Sequence, residues 1–85
     1  MPETVRVYPN PNEGSFTFEF QTDNEGTGEL QIINVMGQSI YNANVAAANG
    51  LVQHQINLGD NFKKGLYVVR YTFNGEQYDR KLILK

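Results

Sequence analysis

Apolar and polar residues alternate along most of this chain, which is the pattern of β-strands that bury one face. The clearest case is Ser15–Phe20, where Phe16, Phe18 and Phe20 alternate with polar residues. Val5 and Val7 likewise share one face of Thr4–Tyr8. Seven runs are interpreted as strands: Thr4–Tyr8, Ser15–Phe20, Leu30–Val35, a run that begins at Ser39, Val52–Leu58, Leu66–Phe73 and Gln77–Leu84.

Turn residues separate these runs. Asn74-Gly75 supplies the two left-handed residues of a type I′ turn, so a tight hairpin is predicted between the last two strands. Asn34–Gly37 suits a type I turn followed by a left-handed glycine, which also predicts a hairpin. Ala43–Ala48 is the only stretch compatible with a helix, and it is too short and uncapped to form a stable one.

Short strands joined by turns predict an all-β fold, a small antiparallel β-sandwich. The run Leu66–Phe73 is the most apolar and is predicted to be a central strand. Residues 1–85 are expected to form a single domain, because a chain of 85 residues has room for one modest core.

Composition and charge exclude several classes of protein. Hydrophobic residues make up 40% of the chain, which is typical of a folded domain. No apolar run approaches the length of a transmembrane helix. The isoelectric point of about 5.2 argues against a nucleic-acid partner. Residues 1–60 hold seven acids and one basic residue, whereas residues 61–85 hold six basic residues and two acids. We interpret this asymmetry as attraction between two parts of one domain.

Candidate catalytic chemistry is sparse. The chain has no cysteine, so disulfides, thiolate metal sites and a cysteine nucleophile are excluded. His54 is the single histidine, and its position among apolar residues predicts a half-buried strand side chain or one at the rim of the sheet. Asp23–Gly26 lacks the spacing of a calcium loop and is interpreted as a turn. We expect no enzymatic activity, no cofactor and no metal centre.

Two segments are not explained by a plain sandwich. In Pro9–Gly14 each proline holds the residue before it in an extended conformation, and Gly14 can adopt positive φ. Lys81–Lys85 places three aliphatic residues between lysines. The structural alternatives are a rigid corner for the first segment and a lysine-blunted edge strand for the second.

Four motifs in order resemble the C-terminal sorting domains of cargo proteins of the type IX secretion system, found in Bacteroidota. The resemblance covers roughly residues 5–85, and each motif alone is weak. The motifs are Tyr8-Pro9-Asn10-Pro11-x-x-Gly14, Ile32–Gln38 with Gly37, Lys64–Arg70 with Gly65 and Tyr67, and Lys81-Leu82-Ile83-Leu84-Lys85. The family often has an aspartate near Asn34, where this chain departs from the pattern.

The resemblance implies an immunoglobulin-like sandwich at the C-terminus of a larger exported protein. That protein would enter the periplasm through its own signal peptide and then cross the outer membrane to the cell surface or medium. The implied partners are type IX outer-membrane components and a sortase-like protease, with the isolated domain a monomer. The implied recognition residues are Pro9, Asn10, Pro11, Gly14, Gly37, Gly65, Tyr67, Lys81, Leu82, Ile83, Leu84 and Lys85.

An alternative function is a non-signalling sandwich of the fibronectin-like or carbohydrate-binding kind, which would serve as a spacer or bind glycans. Lys81–Lys85 discriminates between the two functions, because a spacer should tolerate changes there and a terminal signal should not. We also hypothesise that backbone groups of this terminal strand pair with a strand of the receptor.

Overall fold

The computed structural model describes residues 4–47, 50–59 and 62–85, and these residues form seven strands. The strands are β1 Thr4–Tyr8, β2 Ser15–Thr22, β3 Gly26–Ile33, β4 Ser39–Ala47, β5 Gly50–Asn57, β6 Gly65–Phe73 and β7 Glu76–Leu84. None of the described residues belongs to a helix that could cross a membrane. The predicted all-β fold is confirmed.

The strands form two antiparallel sheets that make a β-sandwich. One sheet has the order β1-β2-β5, and the other has the order β4-β3-β6-β7. Strand β6 pairs with both β3 and β7, so its predicted central position is confirmed. Strand β7 is an outer strand of the larger sheet and lies near β1, an outer strand of the smaller one.

The core consists of the inward residues of both sheets. Phe16, Phe18 and Phe20 are buried as predicted. The Tyr71 ring of β6 lies between two of them, with its centroid 4.9 Å from that of Phe18 and 4.8 Å from that of Phe20. Such tilted aromatic pairs add about 0.5–1.5 kcal/mol beyond the burial of apolar area. These contacts hold the two sheets together.

Both predicted hairpin turns are confirmed. Asn74 and Gly75 have φ values of 52° and 81°, as a type I′ turn requires. At the β3–β4 turn the Gly37 N–H donates to the Asn34 carbonyl at 3.0 Å, and Gly37 has a φ of 84°. The Asn34 side-chain oxygen also accepts hydrogen bonds from the Met36 and Gln38 N–H groups.

The structure corrects several strand boundaries and decides one ambiguous stretch. Strand β2 continues beyond Phe20 to Thr22, β3 begins at Gly26 and not at Leu30, and β5 covers Gly50–Asn57 and not Val52–Leu58. Strand β3 ends at Ile33, and Val35 lies in the turn with 78% of its surface exposed, because Asn34 already begins the turn. Residues 43–47 belong to β4 and are not helical. Val45 and Ala47 face the core in strand alternation, whereas Ala48 lies outside the described residues.

Candidate functional site

The loop Pro9–Gly14 runs along the outer edge of β7. The Asn10 side chain bonds to β7 twice: its Nδ2 donates to the Lys81 carbonyl at 2.7 Å, and its Oδ1 accepts from the Ile83 N–H at 3.0 Å. One donor and one acceptor spaced in this way reproduce what a neighbouring strand residue offers. The Asn10 amide therefore substitutes for a strand at this position.

Asn12 continues the pairing with its backbone. Its N–H donates to the Ile83 carbonyl at 3.0 Å, and its carbonyl accepts from the Lys85 N–H at 2.9 Å. The result is a short parallel bridge between Asn12 and Leu84. The outward backbone groups of Ile83 and their neighbours at Lys81 and Lys85 thus have partners within the domain. These groups are not free for the hypothesised pairing with a receptor strand.

The side chain of Asn12 also holds the loop in shape. Its Nδ2 donates to the Pro9 carbonyl at 3.0 Å, and its Oδ1 accepts from the Gly14 N–H at 2.8 Å. Asn12 is buried, and an unsatisfied amide there would be costly. Sequence reasoning missed Asn12, although an asparagine two residues before a glycine is a signal for a side-chain-to-backbone turn.

Position 14 requires a glycine for two reasons, its backbone conformation and the close approach of a neighbouring loop. It has a φ of 112°, and a β-carbon at this position would lie 3.0 Å from the Gly59 carbonyl oxygen. The Gly14 carbonyl accepts a hydrogen bond from the Leu58 N–H at 2.7 Å. The loop is thereby attached to the end of β5 as well as to β7.

Two other motifs form a groove of about 440 Å³ between the β3–β4 turn and residues 62–67. Gly37 shapes the turn. Gly65 opens β6 with a φ of 143°, and a β-carbon added there would meet no atom within 4 Å. Tyr67 is buried, and its hydroxyl donates to the Lys63 carbonyl.

All four motifs meet at one end of the sandwich. In the β6–β7 register Gly65 pairs with Leu84 and Tyr67 pairs with Leu82. A second groove of about 210 Å³ includes Gly14 and Lys85, and it shares Phe62 and Lys64 with the first groove. We call this region the motif end: the loop Pro9–Gly14, the turn Asn34–Gln38, the segment 62–67 and the strand end Lys81–Lys85.

The residues of the motif end divide into buried and exposed sets. Leu82 and Leu84 are buried in the core, whereas Lys81 and Lys85 are exposed and Ile83 is partly so. Pro9, Asn10 and Pro11 are exposed, and both prolines follow cis peptide bonds. The buried residues fix the position of the exposed ones.

Arg80 is a second residue that sequence reasoning missed. Its Nε donates to the Val5 carbonyl at 2.9 Å, and its Nη1 donates to the Asp79 carbonyl at 2.8 Å. The guanidinium therefore connects the outer strand of one sheet to the outer strand of the other. Only the tertiary structure places Val5 within its reach.

The remaining candidates have ordinary structural positions. His54 is half-buried on β5 as predicted, with its Nε2 3.5 Å from the Tyr41 hydroxyl. Residues 23–25 connect β2 to β3. Within the described ranges there is no group of three or more His, Asp or Glu side chains that could hold a metal ion.

A polar cluster covers the outer face of the smaller sheet. The Tyr8 hydroxyl donates to Glu19 Oε1 at 2.7 Å, and Gln53 Nε2 donates to the same oxygen at 3.1 Å. These hydrogen bonds lower the pKa of Glu19, with the larger effect from Tyr8. The hydrogen bond to Glu19 likewise raises the pKa of Tyr8. The polar atoms of Tyr8, Glu19 and Gln53 therefore form hydrogen bonds with one another.

Comparison with known sequences identifies the family. The profile described as "Secretion system C-terminal sorting domain" matches residues 6–85. An endo-acting ulvan lyase of Formosa agariphila is 38% identical over 82 residues, which cover 95% of this chain and 15% of that protein. An ulvan lyase of Nonlabens ulvanivorans is 35% identical over 82 residues, which cover 95% of this chain and 14% of that protein.

Comparison with solved structures gives the same fold. The crystal structure of dimeric latent PorU from Porphyromonas gingivalis superposes with a TM-score of 0.73 at 20% identity, covering 99% of this chain and 9% of that one. At this level of identity the likeness establishes the fold alone.

The chain belongs to the family of secretion-system C-terminal sorting domains. It is a sorting signal of the type IX system, and the role of such a signal is export to the cell surface or the extracellular space. The chain spans about 15% of the length of the first of these relatives, so the match covers a small part of that protein.

Proposed function

We propose that the motif end is the surface by which the type IX outer-membrane machinery recognises this domain. The observation that carries the proposal is the convergence of four motifs, which lie far apart in the sequence, on one end of the sandwich. The proposed recognition residues are those named from the sequence: Pro9, Asn10, Pro11, Gly14, Gly37, Gly65, Tyr67 and Lys81–Lys85.

These residues have two kinds of role in the proposal. Gly14, Tyr67, Leu82 and Leu84 are buried, so they position the surface and do not touch the receptor. Lys81, Ile83 and Lys85 present side chains to solvent and are the candidates for direct contact. The loop at Pro9–Pro11 holds the strand end in place through the Asn10 amide.

The domain is further proposed to be the C-terminal part of a larger exported protein. Both relatives are several times longer than this chain, which supports that organisation. A sortase-like protease of the secretion system would then act on the parent protein upstream of the sandwich. The parent's own activity belongs to residues outside this domain.

Fusion to a periplasmic reporter tests the proposal. In a host with a type IX system, a reporter that carries a signal peptide and this domain at its C-terminus should reach the surface or medium. Deletion of Lys81–Lys85 should retain it in the periplasm, although loss of Leu82 and Leu84 would also unfold the domain. The controls are therefore Lys81→Glu, Lys85→Glu and a Gly-Ser extension after Lys85. Surface changes of this kind shift stability by less than about 0.5 kcal/mol.

The outcomes separate recognition from folding. Loss of export by the folded control variants identifies the strand end as a contact surface. Export at the level of the unaltered domain would limit the strand end to a structural role. In that case the exposed corner Pro9–Pro11 would be the next segment to alter. Retention of the unaltered fusion in the periplasm would show that the secretion machinery of that host does not recognise this domain and would overturn the proposed recognition surface.

A further inference from the structure

Exposed apolar side chains are concentrated at the motif end. Val35 and Met36 are 78% and 79% exposed, and Leu66 and Ile83 are 46% and 39% exposed. Val35, Met36 and Leu66 line one groove, and Leu66 pairs with Ile83 across β6 and β7. Contiguous apolar surface of this kind on a small soluble domain is typical of a binding site.

Lysines surround this apolar surface. Lys63 and Lys64 line the groove together with Leu66. Lys81 and Lys85 flank Ile83 on the same face of β7, because alternate residues of a strand point to the same side. None of the described residues that line this groove is acidic, and the one acidic residue of the neighbouring groove, Glu13, lies with Lys64 and Lys85, so the lysines outnumber it. The surface is therefore both apolar and positively charged, and we call these eight residues the lysine-rimmed patch.

The edge beside the patch is closed to an added strand. Asn10 and Asn12 already occupy the outward backbone groups of Ile83 and those of its neighbours that face the loop. A partner at this position meets the side chains on the face of the sheet before it meets any free backbone group at the edge.

We propose that the lysine-rimmed patch docks a protein segment whose apolar side chains are flanked by carboxylates, and that docking is face-on and not by strand addition. The inference rests on the recognition surface proposed above and adds the chemistry and the mode of contact. Apolar anchors supply most of the energy of such interfaces, and opposite charges around them select the partner and speed association.

The export assay tests the apolar part of the patch. The variant carries Leu66→Ser together with Ile83→Ser in the reporter fusion. Leu51→Ser is the matched control, because Leu51 is 55% exposed but belongs to β5 of the other sheet. We expect export of the double variant to fall by about tenfold or more, the effect of removing interface anchors. Export of the control should equal that of the unaltered fusion, with both variants folded by circular dichroism.

Peptide binding to the isolated domain tests the chemistry of the partner. The probe is a synthetic peptide in which leucine and glutamate alternate, and amide chemical shifts report where it binds. Shifts should be confined to the residues around Leu66, Ile83 and Val35, and they should weaken with added salt. A peptide with lysine in place of glutamate, and one with serine in place of leucine, should not bind.

The outcomes distinguish this inference from the recognition proposal above. Failure of the unaltered fusion to be exported counts against the recognition proposal. Normal export of the unaltered fusion together with normal export of the Leu66→Ser/Ile83→Ser variant overturns the docking surface alone. Equal binding of the lysine peptide, no binding of the glutamate peptide, or binding only to vesicles of anionic phospholipid overturns the proposed chemistry. Shifts confined to the Asn10 and Asn12 amides would show strand addition and overturn the face-on mode.

Discussion

The outer faces of the two sheets differ in how their side chains are satisfied. On the smaller sheet Tyr8, Gln53 and Arg6 all contact Glu19, and the Arg6 guanidinium also lies over the Tyr8 ring. On the larger sheet Leu66 and Ile83 face solvent beside lysines. On the first face the polar groups bond to one another and Leu51 is the one strongly exposed large apolar side chain among the described residues, whereas on the second face Leu66 and Ile83 lie side by side.

This difference shows why alternation alone does not locate a functional surface. Both faces come from strands that alternate between core and solvent, and both contain polar residues at most outward positions. What separates them is whether neighbouring strands bring complementary groups together. The polar cluster has a carboxylate, a hydroxyl, an amide and a guanidinium in contact, whereas the lysine-rimmed patch places exposed apolar side chains beside lysines.

The largest loss of stability is expected from truncating a side chain in the core that lies between the two sheets. Phe18→Ala should destabilise the domain by about 3–5 kcal/mol, because a fully buried aromatic ring leaves a cavity. Chemical denaturation monitored by circular dichroism measures the change. Leu51→Ala, at an exposed position on the same sheet, should shift the midpoint little. A small change for Phe18→Ala would mean that the two sheets do not depend on this contact.

The next effect concerns the backbone that begins β6 under the lysine-rimmed patch. Gly65→Val should cost about 1–3 kcal/mol, because Gly65 has positive φ and a β-branched residue is strained there. The space around it is open, so the cost comes from the backbone and not from collision. An unchanged denaturation midpoint would contradict this. Export by a folded Gly65→Val fusion measures whether the patch keeps its shape.

A smaller loss of stability is expected at the outer edge of β7, where Asn10 bonds to the strand. Asn10→Ala removes the hydrogen bonds to the Lys81 carbonyl and the Ile83 N–H and should cost about 0.5–1.5 kcal/mol. Hydrogen exchange at the Ile83 amide should become faster, while exchange at Leu82, which pairs with Tyr67 of β6, should change little. Equal acceleration at both amides would indicate general destabilisation instead of an opened edge. Sedimentation should also show whether the opened edge leads to self-association.

The smallest effect on stability is expected in the polar cluster on the outer face of the smaller sheet, and it depends on pH. Because the pKa of Glu19 is lowered in the folded state from 4.5, its contribution to stability is present above the unfolded value and is lost as pH falls through the folded one. Tyr8→Phe removes the main cause of the shift, so the Glu19 pKa should rise towards its ordinary value. Carboxyl chemical shifts measure it directly. Tyr41→Phe is the control, and a rise of the Glu19 pKa in that variant would disprove the assignment.

The strands, the hairpin turns and most of the core follow from the amino-acid order alone. The alternation of Phe16, Phe18 and Phe20 and the Asn74-Gly75 turn depend on the two-residue period of a strand and on local backbone preferences. Such properties act between residues that are close in sequence. The family motifs belong to the same category, because each is a short run with its own turn or strand chemistry.

Only the folded structure shows which residues that are distant in sequence come into contact. Gly28 lies inside a strand, and no local pattern shows that the Tyr71 ring occupies the space of its missing side chain, where a β-carbon would lie 2.4 Å from the ring. The Asn10 side chain bonds to Lys81, which is 71 residues away, and Arg80 reaches Val5 across 75 residues. These pairings depend on how the sheets are ordered and stacked. The closed edge and the motif end are therefore consequences of tertiary packing. Packing brings these side chains into contact, and their spacing in the sequence does not predict that contact.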